Sequence, residues 1–221
     1  LMQKLLNFSV MAAGFGLLPI MFVYASFSFI QGRIYERLGA KTVVSLGAIC
    51  IVIGAFLLSR VESGFTYQSL IPGMVVMGLG MGLFLSSNVT AGVGSLDPSR
   101  SSLAGGLLFM FQIAGGALGL GVTTTLFVSS SRSTLQCDLT EKGLNLSGEE
   151  LGMAEGLLSG TESSATLLNQ IGYENADKIR SAVSDAFLSG VKSGFLLDSL
   201  LALLGFVIVV MYVGGKLRSK K

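Results

Sequence analysis

"GRIYERLGAK", residues 32–41, gathers Arg33, Glu36, Arg37 and Lys41, and uncharged runs flank it at 5–31 and 42–59. Three more uncharged runs follow at 63–96, 101–131 and 199–215. The 221 residues are 51% hydrophobic and 13% charged, with no His and no Trp, and the mean hydropathy is +0.71. A water-soluble domain needs more surface charge than that, so lipid is the natural solvent. A helix rising about 1.5 Å per residue crosses a hydrocarbon core of about 30 Å in roughly 20 residues, which each run can supply. The sequence therefore predicts an all-α integral membrane protein. Its membrane region, 1–128, holds spans near 11–31, 43–59, 69–91 and 103–127. An extracytoplasmic helical loop at 129–192, a last span within 193–215 and a basic tail at 216–221 follow. Buried helices of a soluble protein seldom run so long without a charged face. A cleavable signal peptide fits poorly, because the first run is too long and four others follow it.

Five crossings put "GRIYERLGAK", the short "SLDPSR" turn and the tail "KLRSKK" on one side of the membrane. That side holds eight basic residues against Glu36 and Asp97, a net charge of +6. It is expected to be cytoplasmic. Residues 129–192 carry five basic residues against nine acidic ones, a net charge of −4. The whole-chain charge of +2 follows from this topology and gives no reason to expect nucleic acid as a partner. The odd number of spans and the first residue, Leu1, are expected of a sequence that starts inside a longer polypeptide. Cys50 lies in a span and Cys137 outside, so they are not expected to pair.

The spans differ in polarity. The first carries Tyr24, Ser26 and Ser28, the third Ser86, Ser87, Asn88 and Thr90, and the fourth Gln112 and Thr123–Thr125. The second and fifth are almost wholly apolar at their middles. Polar groups in a membrane are costly unless they face protein or water, so spans one, three and four are expected to line a cavity. Spans two and five, with Ile53 and Val209, are expected to face lipid. A single Ser or Thr can instead bond a carbonyl of its own helix. The amide of Asn88 or Gln112 is less easily satisfied that way, so these two and Tyr24 are the cavity-lining candidates. "GLGMG", with Gly78 and Gly82, and "GGALG", with Gly115 and Gly119, are small-xxx-small patterns that let helices approach closely. Pro19 and Pro72 are expected to bend or break their helices.

Gly32, Glu36, Arg37, Gly39 and Lys41 resemble the G-x-x-x-D-R-x-G-R-K cytoplasmic loop motif of the major facilitator superfamily in its second-half copy, with Glu36 and Ala40 departing from the usual Asp and base. "LDPSRSSLAGGLLFMFQIAGGALG" and "LMQKLLNFSVMAAGFGLLP" are similar to segments of the fourteen-span drug:proton antiporters, the EmrB/QacA-like branch. The resemblance covers nearly the whole chain and implies the C-terminal half of such a transporter, from the end of span nine through spans ten to fourteen. It implies export of small lipophilic or cationic compounds in exchange for protons, from a multi-pass position in a bacterial plasma (inner) membrane. The partners it implies are small-molecule substrate, protons, the lipid bilayer and the transporter's N-terminal half. A permease for another solute, or a membrane sensor or scaffold, is the alternative.

Enzymatic readings are weak. Without His there is no Ser-His or Cys-His pair and no imidazole metal site, so neither metal nor cofactor is expected. No "GxxxxGK" phosphate loop occurs. "SGEE", residues 147–150, reads as a capping box for a helix at about 148–159, with a second short helix ending at Gly172. Ile179, Val183, Phe187 and Val191 step by four, which predicts a helix from about Asn175 running into the last span. That outer segment either shapes the mouth of the cavity or packs on itself. Asp198, about one turn inside the outer end of the fifth span, is the one proton-coupling candidate, and it can equally reach the headgroups or pair with Lys192.

Overall fold

The computed structural model describes residues 2–6, 8–62, 64–94, 97–142, 156 and 173–212. Its helices are α1 (Met2–Leu5), α2 (Val10–Gly16), α3 (Leu18–Leu38), α4 (Ala40–Ser59), α5 (Tyr67–Gly94), α6 (Ser101–Glu141) and α7 (Tyr173–Tyr212), with a 3₁₀ turn at Pro98–Arg100 leading into α6. Among the described residues, five segments are long and apolar enough to cross a membrane: Val10–Leu38, Ala40–Ser59, Tyr67–Gly94, Pro98–Glu141 and Ser181–Tyr212. The chain is an all-α membrane bundle. The helices at 148–159 and near 172, the capping box and the tail at 216–221 lie outside the described residues.

Local chemistry sets the breaks. Ser9 caps α2 by accepting the Ala12 N–H at 3.2 Å. The helix stops at Leu17, and α3 resumes with Pro19 in its first turn, where the missing N–H costs nothing. The Tyr67 hydroxyl donates to the Gly16 carbonyl at 3.0 Å, satisfying an acceptor at this break. Pro72 lies within α5, which continues through it, so of the bend or break expected there no break occurs. The charged stretch also differs from a loop. α3 runs through Gly32 to Leu38, Gly39 alone makes the turn with φ 82° and ψ 162°, and α4 starts at Ala40. One Gly inside a helix costs only about 1 kcal/mol, which the surrounding helix formers offset. That backbone region at residue 39 is open to glycine only.

The spans form a row in the order α3, α5, α4, α7, α6, with α6 also touching α5. Glycine fixes the middle of the row. A Cβ on Gly78 or Gly82 would come within 2.6 Å of the Ile20 carbonyl or 2.8 Å of the Tyr24 carbonyl on α3. On the other face of α5, a Cβ on Gly80 would lie 2.6 Å from the Ile51 nitrogen of α4. From the α4 side, Gly47 and Gly54 would meet Phe84 and Met77 at 2.6 and 2.7 Å. Lipid gives helices no hydrophobic reason to associate, so such close backbone packing is what holds them. α4, expected to face lipid, is thus packed on two faces while Ile53 stays 46% exposed. It is clasped between α5 and α7, and Thr42, Leu46, Ile49, Ile53, Phe56 and Leu57 remain exposed. Val209, expected at lipid, is buried, with 8% of its surface exposed.

α6 and α7 overrun the spans expected at 103–127 and 193–215. At 41 and 40 residues each is about 60 Å long, twice the hydrocarbon thickness and more than one crossing needs. Along these helices Ser131, Leu135 and Leu139 of α6 are buried at steps of four, and Ile179, Ala182, Ala186 and Gly190 of α7 at steps of three and four. The Phe127 and Phe187 rings meet edge to face at 5.4 Å. The seam thus uses small residues, and the expected stripe keeps only Ile179 fully inside, with Val183, Phe187 and Val191 half-buried.

Candidate functional site

The two ends of the row, α3 and α6, are the helices least covered by the rest of the chain. Exposed apolar side chains crowd both, among them Phe15, Phe22 and Phe29 on α2 and α3 and Phe109, Phe111 and Leu118 on α6. The polar residues of α3, α5 and α6 divide into two groups. Ser26, Thr90 and Thr125 each donate to a carbonyl four residues back in their own helix, at 2.8, 2.9 and 2.9 Å. Ser28 and Ser86 instead share a 2.7 Å bond between α3 and α5, and the Gln31 amide donates to the Ser87 hydroxyl at 2.8 Å. Gln31 is 5% and Ser87 0% exposed. This pair welds the two helices and was not singled out in the sequence. The signal was there in Gln31 and Ser87 themselves, an amide and a hydroxyl in apolar surroundings.

Tyr24 is half-buried on α3, with its carbonyl against Gly82, whereas Asn88 and Gln112 are exposed. α5 and α6 approach where a Cβ on Gly92 would lie 2.5 Å from Leu108. Asn88 and Gln112 each stand one helical turn outward of that contact, so both amides lie at the same level. α3 and α6 both border α5, with Tyr24 on the first and Gln112 on the second. The two glycine patterns part company: Gly78 and Gly82 touch α3, while a Cβ on Gly115 or Gly119 would meet nothing within 4 Å. Of the motif residues, Gly32, Arg33, Glu36 and Arg37 are exposed along the last turns of α3, and Gly39 and Lys41 are half-buried at the junction. Arg37 in the last turn complements the negative end of the α3 dipole.

Asp198 faces α6. The Thr123 hydroxyl donates to its carboxylate at 3.2 Å, and both line a crevice of about 250 Å³ with Phe127, Gly190, Gly194 and Phe195. Phe195 also borders a larger apolar crevice of about 670 Å³ at the outer end of the bundle, lined by Leu17, Ile20, Leu58, Met74 and Met77. Its volume is that of a drug-sized site, and flexible methionines suit varied shapes. Nothing in the sequence pattern marked it, because its walls come from six separate helices. Among the described residues no three His, Cys, Asp or Glu side chains gather as a metal site, and both cysteines are free.

No family model matches the sequence. The chain is 25% identical over 135 residues to a lincomycin resistance protein of Listeria innocua, across 61% of this chain and 29% of that protein. It is 24% identical over 191 residues to a puromycin resistance protein of Streptomyces alboniger, across 82% of this chain and 38% of the relative. A major facilitator-type transporter of Aspergillus terreus is 21% identical over 126 residues, covering 57% and 22% of the two chains. The matches thus span well under half the length of these relatives. The five apolar helices define a multi-pass membrane protein, and the relatives named are resistance proteins and a transporter, with no enzyme among them. At low identity, the chain is thus similar both to antibiotic resistance proteins and to a major facilitator-type transporter.

Proposed function

We propose that this chain is the C-terminal part of a fourteen-span, EmrB/QacA-like drug:proton antiporter in a bacterial plasma membrane. It would export small lipophilic or cationic compounds in exchange for protons. The observation that supports this best is the pairing of resistance-protein likeness with a row of helices whose two end members, α3 and α6, are left uncovered. In this reading the amides of Asn88 and Gln112, together with Tyr24, line the substrate path, and the N-terminal half of the transporter covers α3 and α6. Secondary transporters work by rocking such halves about a central site. Asp198 is this chain's candidate proton carrier, while a carboxylate in the other half would share that task.

The complete protein, expressed in cells lacking their own efflux pumps, is expected to lower accumulation of a lipophilic cationic dye and to lose that effect when the proton gradient is collapsed. Accumulation that is unchanged by expression, or export that persists without the gradient, would refute the antiport reading. A permease for another solute would then be the remaining transporter class.

A further inference from the structure

Two successive residues tie α7 to both of its neighbours. Asp198 accepts a hydrogen bond from Thr123 of α6 at 3.2 Å, and Ser199 donates to the Val52 carbonyl of α4 at 3.2 Å. Outward of this point the α6–α7 seam is a ladder of bonds, Lys142 to Ser181, Thr134 to Ser189 and Ser130 with Ser193. Thr123–Asp198 is the innermost rung among the described residues. Inward of it, a Cβ on Gly115, Gly116, Gly119 or Gly121 would meet nothing, and Leu118 and Leu120 are exposed. The next hold on α6 is the contact of Leu108 with Gly92. The glycine-rich length of α6 is therefore slung between two attachments, and one of them is a carboxylate.

We propose that Asp198 is a proton-binding latch: ionised, it draws α6 onto α7 through Thr123, and protonated, it frees the inner glycine-rich part of α6. The antiport reading is needed only to connect this latch with transport. An ionised carboxylate in apolar surroundings requires donors, and a hydroxyl bond to a charged oxygen is roughly twice as strong as one between neutral groups. A neutral acid needs Thr123 much less. The seam is shaped for this contact. A Cβ on Gly190 would run into Ser131 and Phe127, and one on Gly194 would lie 3.3 Å from the Thr123 methyl, so glycine alone lets α6 come near enough. The crevice beside the carboxylate gives a proton access.

No other charge competes at this depth. α6 has no ionisable residue between Ser101 and Ser131. On α4 only the Cys50 thiol lies between Lys41 and Arg60, and on α5 only Tyr67, whose hydroxyl is engaged with Gly16. On α7 the nearest charge is Lys192, nearly two turns outward.

The test uses the complete protein in a bilayer, without Cys50 and Cys137, and with spin labels at Leu120 and Leu201, which are 70% and 44% exposed. Each lies one turn inward of its latch residue. The distance between the labels is expected to be short and narrow at alkaline pH and longer and broader at acid pH. Asp198→Asn should give one distance at every pH, Asp198→Glu should keep a response with a shifted midpoint, and Thr123→Val should lose the short alkaline distance. A flat distance in the parent protein overturns the proposal, as does an unaltered pH response in Asp198→Asn. If Asp198→Asn does not fold, Thr123→Val decides by the same criterion. Dye efflux measured alongside separates the two readings. Lost efflux with the distance switch intact counts against antiport and supports the latch, whereas intact efflux with a flat distance counts against the latch alone.

Discussion

Gly39 joins α3 to α4 by itself, at φ 82° and ψ 162°, and any Cβ there meets the neighbouring backbone. Gly39→Ala is therefore expected to cost about 1–3 kcal/mol, seen as a lower thermal midpoint of the purified protein in detergent. A Gly32→Ala control should be neutral or slightly stabilising, since Gly32 is helical and open to solvent or lipid. Equal midpoints for the two variants would contradict this account of the junction. The charges around it pose a separate question. Arg33, Arg37 and Lys41 suffice to anchor a cytoplasmic end, but Glu36 works against anionic lipid. Glu36 lies one turn beyond Arg33 on an exposed helix face, free to meet a basic group of another helix in one transport state. In the complete protein Glu36→Gln is expected to change the transport rate while insertion stays intact. Arg37→Ala combined with Lys41→Ala should also disturb topology. Unchanged efflux at equal expression of Glu36→Gln would leave the stretch as a topology anchor only.

Helices carry the next level of meaning, and here glycine decides more than hydrophobicity. α4 has the more uniformly apolar sequence yet is gripped on two sides, because Gly47 and Gly54 admit the α5 backbone. α6 carries more glycine and is held by α7 along its far part and by α5 only near Leu108, with its glycines at 115–121 against nothing. Cysteines placed at Asn88 and Gln112, in a protein without Cys50 and Cys137, are expected to react with a water-soluble thiol reagent in the complete protein. A cysteine at Ile53 should be shielded by lipid, and one at Val209 by protein. Equal labelling at all four positions would remove the cavity assignment, and fast labelling at Val209 would contradict its burial. The existence and number of the spans were legible in the sequence because lipid demands long apolar runs, and a run needs no partner to be seen. Helix ends were less legible. The chain does not mark the membrane surface at Phe127, where the α6–α7 seam simply carries both helices onward. Which face packs was hidden as well: Ala182, Ala186 and Gly190 form the contact while the larger Val183 and Val191 stand half-buried, a choice made by the approach of Ser131 and Leu135. The bond of Thr123 to Asp198 joins residues 75 apart in sequence, so only the folded pair reveals it.

For the molecule as a whole, the uncovered faces of α3 and α6 set the final expectation. Within this chain, Gly115 and Gly119 touch nothing, so Gly115→Leu or Gly119→Leu should leave its own bundle intact. Gly80→Leu should instead break it, since even a Cβ there sits 2.6 Å from the α4 backbone and overpacking of this kind typically costs about 1–3 kcal/mol or more. If the missing half of a transporter packs against α6, the order changes in the complete protein, where Gly119→Leu should damage assembly and transport. Co-expression offers the direct comparison. The chain alone in proteoliposomes is expected to move no drug in response to a proton gradient, because alternating access needs two halves, and co-expression with the upstream segment as a separate polypeptide should restore movement. Gly119→Leu should then lower co-purification of the two pieces, with Gly14→Leu on α2 as a second open-surface position for comparison. Antiport by the chain alone would overturn the half-transporter reading. Undiminished co-purification with Gly119→Leu would move the interface off this face of α6 while leaving the packing of α3, α5 and α4 as described.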